Sequence, residues 1–179
     1  MTKKVTIMTG SVRPNSVGDK LLPVVQSSLE AQGVEVQVAS LRELQLPFFD
    51  SEEIPSSESY SINQENVKQW QSLVVSSDGI VMLTPEYNYQ MAAAQKNAID
   101  WLYKEWKDKA VSIVSYGWSG GEKAATPLKA LLEKLQAKPL DKVAKLYFTK
   151  QISPDGLFID ESEVKALIDS TVSELVESI

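Results

Sequence analysis

The sequence predicts an α/β fold: a doubly wound, mainly parallel sheet of five strands with helices on both faces. Three observations carry that expectation. Short apolar or β-branched runs alternate five times with longer segments of helical periodicity, the pattern of successive strand–helix–strand units. One run, Gly79-Ile80-Val81-Met82-Leu83, is apolar throughout, as a strand covered on both faces must be. The chain has 179 residues, enough for one domain with its own core, and no repeat, linker or low-complexity stretch divides it. Residues 1–179 are therefore read as a single domain.

The elements follow in order. Residues 4–9 are rich in β-branched side chains and end at Gly10, giving the first strand. Leu21, Leu22, Val25 and Leu29 recur at helical spacing, giving a helix over 19–32. Pro23 suits only the opening turns of a helix, so Asp19 is the expected N-cap; a helix starting earlier should kink. Residues 34–38 alternate with period two and form the second strand. Residues 50–66 are polar, Ser-rich and acidic, and a loop of that length is usually functional or mobile. A helix over 64–77 puts Val67, Trp70 and Val74, with Leu73 beside them, on its apolar face. The third strand covers 79–83, a helix 92–106, the fourth strand 110–114 and a Leu-faced helix 121–136. The fifth strand covers 143–148, and a final helix over 160–178 aligns Val164, Leu167, Ile168, Val172, Leu175 and Val176.

Composition narrows the chemistry. Apolar residues make up 43% and charged residues 23%, and the net charge is −6, which argues against a nucleic-acid surface built from clustered Lys and Arg. There is no Cys and no His. Disulfides, thiol nucleophiles and Ser-His-Asp triads are excluded, and zinc and copper lose their usual ligands, so no metal site is expected. An enzyme of this composition must rely on carboxylates or on a cofactor. No stretch approaches the roughly 20 apolar residues of a membrane span. The N-terminus leads straight into a strand-length run without a leader pattern, so a cytoplasmic protein with no membrane partner is expected.

In an open α/β sheet, ligands sit beyond the carboxyl ends of the strands, and three unusual loops emerge there. The first is Gly10-Ser11-Val12-Arg13-Pro14-Asn15-Ser16: a sharp turn with hydroxyls, a guanidinium and the free amides of a helix start, all suited to a phosphate. It also suits an ordinary capped turn with Arg13 in solvent. It lacks the Gly-Lys-Ser/Thr of a P-loop and the GxGxxG of a dinucleotide site. The second, Thr84-Pro85-Glu86-Tyr87-Asn88-Tyr89, offers two aromatics to flank a flat ring, or a stiff turn with aromatics on the core edge. The third, Ser115-Tyr116-Gly117-Trp118-Ser119-Gly120-Gly121, brings backbone close to a ligand or makes a mobile turn, with Trp118 over a ring or in the core. A phosphate site at one end and a ring site at the other fit a mononucleotide. With no His or Cys, FMN fits best, because its ring carries the redox chemistry.

These loops, with Lys96-Asn97-Ala98-Ile99-Asp100-Trp101-Leu102 on the helix after the second, resemble the NADPH-dependent FMN reductase family from residue 4 to about residue 148. The resemblance implies a flavodoxin-like fold with strand order 2-1-3-4-5. It implies FMN as cofactor and NADPH or NADH as co-substrate. Hydride would pass by a ping-pong mechanism to a small acceptor, whether quinone, flavin, azo compound or metal oxyanion. It places Ser11, Arg13, Ser16 and the backbone of Val17 around the FMN phosphate. It places Pro85, Glu86, Tyr87 and Asn88 along the ring, and Ser115, Gly117, Trp118, Ser119 and Gly120 near the ring's other edge. No catalytic acid or base is assigned. A homodimer or homotetramer is implied, and Trp101 and Trp106 suit its interface, with Trp101 equally suited to the core. Two departures bear on substrate preference and subunit geometry. Tyr89-Gln90-Met91-Ala92-Ala93-Ala94-Gln95 lacks the Pro and Gly that many relatives carry there, and Pro23 interrupts the first helix. A flavodoxin-type electron carrier serving protein partners is the alternative.

Overall fold

The structure, a computed structural model, describes residues 2–179. β1 (Lys4–Thr9), β2 (Glu35–Ser40), β3 (Gly79–Pro85), β4 (Ala110–Gly117) and β5 (Lys138–Tyr147) form one sheet in the order β2-β1-β3-β4-β5, every neighbouring pair parallel. This is the flavodoxin-like order the resemblance implies. Side chains alternate across each strand, so successive residues feed two separate cores. On one face Val5, Ile7, Val81 and Val114 pack against α1 (Val17–Glu30) and α6 (Glu161–Ser178). On the other, Met8, Ile80, Met82 and Ile113 pack against α2 (Leu41–Leu44), α3 (Glu65–Val75), α4 (Ala93–Asp100) and α5 (Glu122–Lys134). The chain leaves β1 toward β2 and returns to cross to β3. The carboxyl ends of β1 and β3 are therefore the switch point where a crevice opens.

The boundaries depart from the expectations where side-chain chemistry overrides periodicity. The first helix begins at Val17, not Asp19, because Ser16 is its N-cap. The Ser16 hydroxyl accepts from the Asp19 amide at 3.2 Å, and the Asp19 carboxylate accepts from the Ser16 amide at 3.0 Å. Pro23 consequently lies inside the helix, which runs on through it and forgoes one backbone hydrogen bond. The short α2 was not foreseen; it starts where the Ser40 hydroxyl caps the Glu43 amide at 3.4 Å. β5 begins at Lys138 rather than 143, and its early residues hold Pro139 and charges that an edge strand tolerates.

The helix expected over 92–106 stops at Asp100 and resumes as a 3₁₀ turn at Lys104–Trp106. The break buries two indoles that one continuous helix would set on different faces. The Trp101 Nε1–H donates to the Pro47 carbonyl at 2.8 Å, and the Trp106 Nε1–H donates to the Ile99 carbonyl at 3.2 Å. Trp106 packs on Trp70 with ring centroids 6.0 Å apart, and Phe49 meets Trp101 edge-on at 5.0 Å. Both tryptophans are core residues, which overturns the expected place of Trp106 on a subunit interface and puts Trp101 in the core, the other of its two expected places. Residues 45–64 hold no helix or strand, in line with the expected long loop.

Replacing Trp106 with Ala should cost about 3–5 kcal/mol of stability. Urea unfolding of the apoprotein checks this. A midpoint equal to that of the parent chain would mean the indole is not a core anchor.

Candidate functional site

The loops after β1, β3 and β4 enclose a cleft of about 350 Å³ at the carboxyl edge of the sheet. Arg13, Asn15, Ser16 and Val17 line one end. Pro85, Glu86 and Tyr87 form one wall; Trp118, Phe148 and Pro154 form the other, with Tyr116 between the end and the walls.

The first end is built by the start of α1. The capping box uses the amides of Ser16 and Asp19, and the Arg13 amide bonds the Ser11 hydroxyl at 3.2 Å. Among the described residues the amides of Val17 and Gly18 complete no hydrogen bond of ordinary geometry, as expected for the first turn of a helix; the Gly18 amide lies against the Tyr116 hydroxyl, and both carry the positive end of the helix dipole. Asn15 makes the entry turn with a left-handed φ of 54°. Asp19 would place a negative charge here, but Arg42 on α2 pairs with it at 3.0 Å and also donates to the Arg13 carbonyl at 3.0 Å. Arg42 thus cancels the carboxylate and pins the loop. Arg13 itself is exposed and, among the described residues, makes no ion pair.

The two walls are tied to each other and to this loop. The Tyr87 and Ser11 hydroxyls share a hydrogen bond of 2.7 Å, which joins the second loop to the first. Tyr87 and Gln90 exchange backbone hydrogen bonds around Asn88 and Tyr89, whose φ values of 50° and 65° make a primed two-residue turn. The Glu86 amide donates to the Tyr116 carbonyl at 3.0 Å. Its carboxylate accepts from the Ser119 hydroxyl and from the Lys123 amide, the latter at 3.2 Å, so it caps the N-terminus of α5. Gly121 turns into α5 with φ 77°, and a Cβ there would come within 2.5 Å of both Ser115 Cβ and the Tyr116 nitrogen. Trp118 is 69% exposed and meets Phe148 edge-on at 5.5 Å, so it belongs to the cleft rim and not to the core.

Of the expected site residues, Arg13, Ser16, Val17, Pro85, Glu86, Tyr87 and Trp118 line one cleft. Six others do not line it. Ser11 is buried beneath the loop, holding Tyr87. Asn88 faces out in its turn. Ser115 is buried with its hydroxyl on the Gly120 carbonyl at 2.7 Å, and Gly120 packs on the Tyr147 ring. Gly117 makes room for Glu86, and Ser119 is held by that carboxylate. The sequence reading missed Asn15, Arg42, Tyr116, Phe148 and Pro154.

FMN fits these residues. An unpaired guanidinium and the amides of a helix start match a dianionic phosphate, and the same cleft is lined by Tyr87, Trp118 and Phe148, which suit a flat ring. The buried Tyr116 hydroxyl has no hydrogen-bond partner, so one polar atom at the phosphate end is left for a ligand. Among the described residues no group of three or more metal-binding side chains exists, and no helix is long and apolar enough to cross a membrane.

Comparisons with known proteins agree. The sequence model of the family described as NADPH-dependent FMN reductase matches residues 3–147. An NAD(P)H-dependent FMN reductase of Saccharomyces cerevisiae is 34% identical over 151 residues, 79% of each chain. An NADPH azoreductase of Bacillus sp. is 33% identical over 138 residues, 73% of this chain and 70% of that one. The solved structure of the flavoenzyme NAD(P)H:(acceptor) oxidoreductase FerB from Paracoccus denitrificans superposes with a TM-score of 0.75 at 24% identity over 99% of both chains, a likeness of fold.

Removing the Glu86 carboxylate by Glu86→Ala should lower apoprotein stability by about 1 kcal/mol through loss of the α5 cap. Thermal unfolding reads this directly, and an undisturbed midpoint would mean the carboxylate does not hold the helix.

Proposed function

The chain belongs to the NADPH-dependent FMN reductase family, so it is an oxidoreductase that works with FMN and NAD(P)H; from that premise we propose that the cleft holds FMN and serves hydride transfer to a small acceptor. The observation that carries the assignment to this cleft is that unpaired Arg13 and the start of α1 at Ser16 and Val17 line the same cleft as the aromatic side chains of Tyr87, Trp118 and Phe148. Arg13, the Ser16 hydroxyl and the amides of Val17 and Gly18 would hold the phosphate. Pro85, Glu86, Tyr87 and Trp118 would border the ring. When bound, FMN would supply two-electron hydride chemistry suited to a ping-pong exchange between NAD(P)H and the acceptor.

The chain's own part is orientation and charge. Ser11 and Arg42 hold the phosphate loop through Tyr87 and Asp19, so little order is lost on binding. Pro85 and the Glu86 cap keep the ring-side loop from moving away. Exposed Trp118 leaves the outer side of the slot open, so NAD(P)H and then the acceptor can take turns against it. No side chain is needed as nucleophile. Relatives named NADPH azoreductase and, in Escherichia coli, quinone reductase support flat, electron-poor acceptors such as quinones and azo compounds. A second hollow of about 400 Å³ beside the phosphate loop, bordered by Val12, Leu46, Phe48 and Ala93, gives a face for a second copy in a homodimer or homotetramer.

Two measurements test the reading. Anaerobic NADPH, or NADH, should bleach the visible flavin spectrum of the FMN-loaded protein within the mixing time of a manual assay. Bound flavin that neither nucleotide reduces would mean an electron carrier instead. Arg13→Ala should weaken FMN by roughly 1.5–3 kcal/mol, about ten- to a hundred-fold, in a fluorescence titration. Equal affinity in the variant would remove Arg13 from the phosphate site.

A further inference from the structure

Tyr116 lies on β4, two strands away from the phosphate loop, yet its hydroxyl reaches that loop. The side chain is 3% exposed, and its oxygen has no hydrogen-bond partner. A buried phenol normally finds one. The point where a Cβ on Gly18 would stand is 2.8 Å from the Tyr116 oxygen and 3.4 Å from the Ser16 oxygen. The buried hydroxyl therefore sits under the first turn of α1, beside the amide of Gly18, and the Tyr116 side chain is one of those lining the cleft. Any side chain at position 18 would stand between Tyr116 and the helix start. Glycine keeps that space open.

The residue is also held in place. Its carbonyl accepts from Glu86, and its ring belongs to the core beneath α1. Burial, with the Tyr87 phenol and the Asp19 carboxylate nearby, pushes its pKa well above the ordinary range, against the smaller opposing influences of the Gly18 amide, which points toward the phenol oxygen, and of Arg13. The hydroxyl therefore stays protonated and can donate. In the protein alone it has nothing to donate to.

We propose that the Tyr116 hydroxyl is a hydrogen-bond donor to the phosphate of the bound mononucleotide, and that it makes the site select a phosphorylated flavin over an unphosphorylated one. This rests on the FMN reading above. It adds a residue from β4 to a site otherwise made by the loop after β1. One strand then serves both ends of the cofactor, its backbone fixing the Glu86 wall and its hydroxyl reaching the phosphate.

Tyr116→Phe removes only the oxygen, and the test compares it with the parent chain in three ways. Apoprotein is titrated with FMN and with riboflavin by flavin fluorescence, the 31P resonance of bound FMN is recorded, and the apoproteins are unfolded by heat. The variant should bind FMN about ten-fold more weakly or worse. Riboflavin affinity should be unchanged, the 31P resonance should move, and the apoprotein should unfold at the same temperature or higher, because no native hydrogen bond is lost. A merely structural role predicts the reverse: a lower unfolding temperature, and FMN and riboflavin weakened together. That result, or FMN affinity and 31P resonance both unchanged, overturns the proposal while leaving the FMN reading intact. A parent chain that takes up neither flavin overturns the FMN reading itself, and the proposal with it.

Discussion

The reciprocal hydrogen bonds between Ser16 and Asp19 decide where α1 starts, and the cleft depends on that start. The box uses the amides of Ser16 and Asp19; the two between them, of Val17 and Gly18, are left at the positive end of the helix. A cap of this kind contributes about 1 kcal/mol. Its larger effect is geometric, because a helix beginning at Asp19, past Gly18, would place no free donors beside Arg13. The box also brings a cost, a carboxylate next to an anion site. Arg42 removes it by pairing with Asp19 while gripping the Arg13 carbonyl, so the net charge left at the cleft end is that of Arg13.

Rigidity then spreads by short links between loops. Ser11 ties the first loop to Tyr87, the Glu86 amide ties the second to β4, and the Glu86 carboxylate ties it to the start of α5. Each link satisfies a polar group that a turn would otherwise leave to water. Together they make a site whose shape exists before any ligand arrives. Only the rim, with Trp118 exposed, is left free to meet different partners. A preformed phosphate end and an adaptable outer edge suit a protein with one fixed cofactor and changing substrates.

Much of this was legible in the sequence because it rests on local patterns. Alternating apolar runs gave five parallel strands, and the resemblance carried their order. Gly10 to Ser16, Pro85 to Asn88 and Ser115 to Gly121 were recognisable as strand-end loops, and the structure does bring them together. What was missed depends on distance in sequence. Arg42 pairs with Asp19 across 23 residues, and nothing near either announces it. Phe148 and Pro154 reach the cleft from the far edge of the sheet. Tyr116 gives no signal of its own, because a Tyr beside a strand end reads as core and only the fold leaves its hydroxyl unpartnered. Ser11 and Ser115 illustrate the opposite error: a hydroxyl in a suggestive loop can be spent on holding the loop. The helix over 92–106 failed because tryptophan burial outweighed periodicity.

The central claim is that the start of α1 is a phosphate site formed in advance, and a crystal structure of the FMN complex tests it most directly. The account predicts the phosphate against the amides of Val17 and Gly18 with Arg13 on its outer side, the ring between Pro85–Tyr87 and Trp118, and the backbone of residues 10–18 unmoved. A phosphate bound elsewhere, or a loop rebuilt with the Ser16–Asp19 box broken, would contradict it.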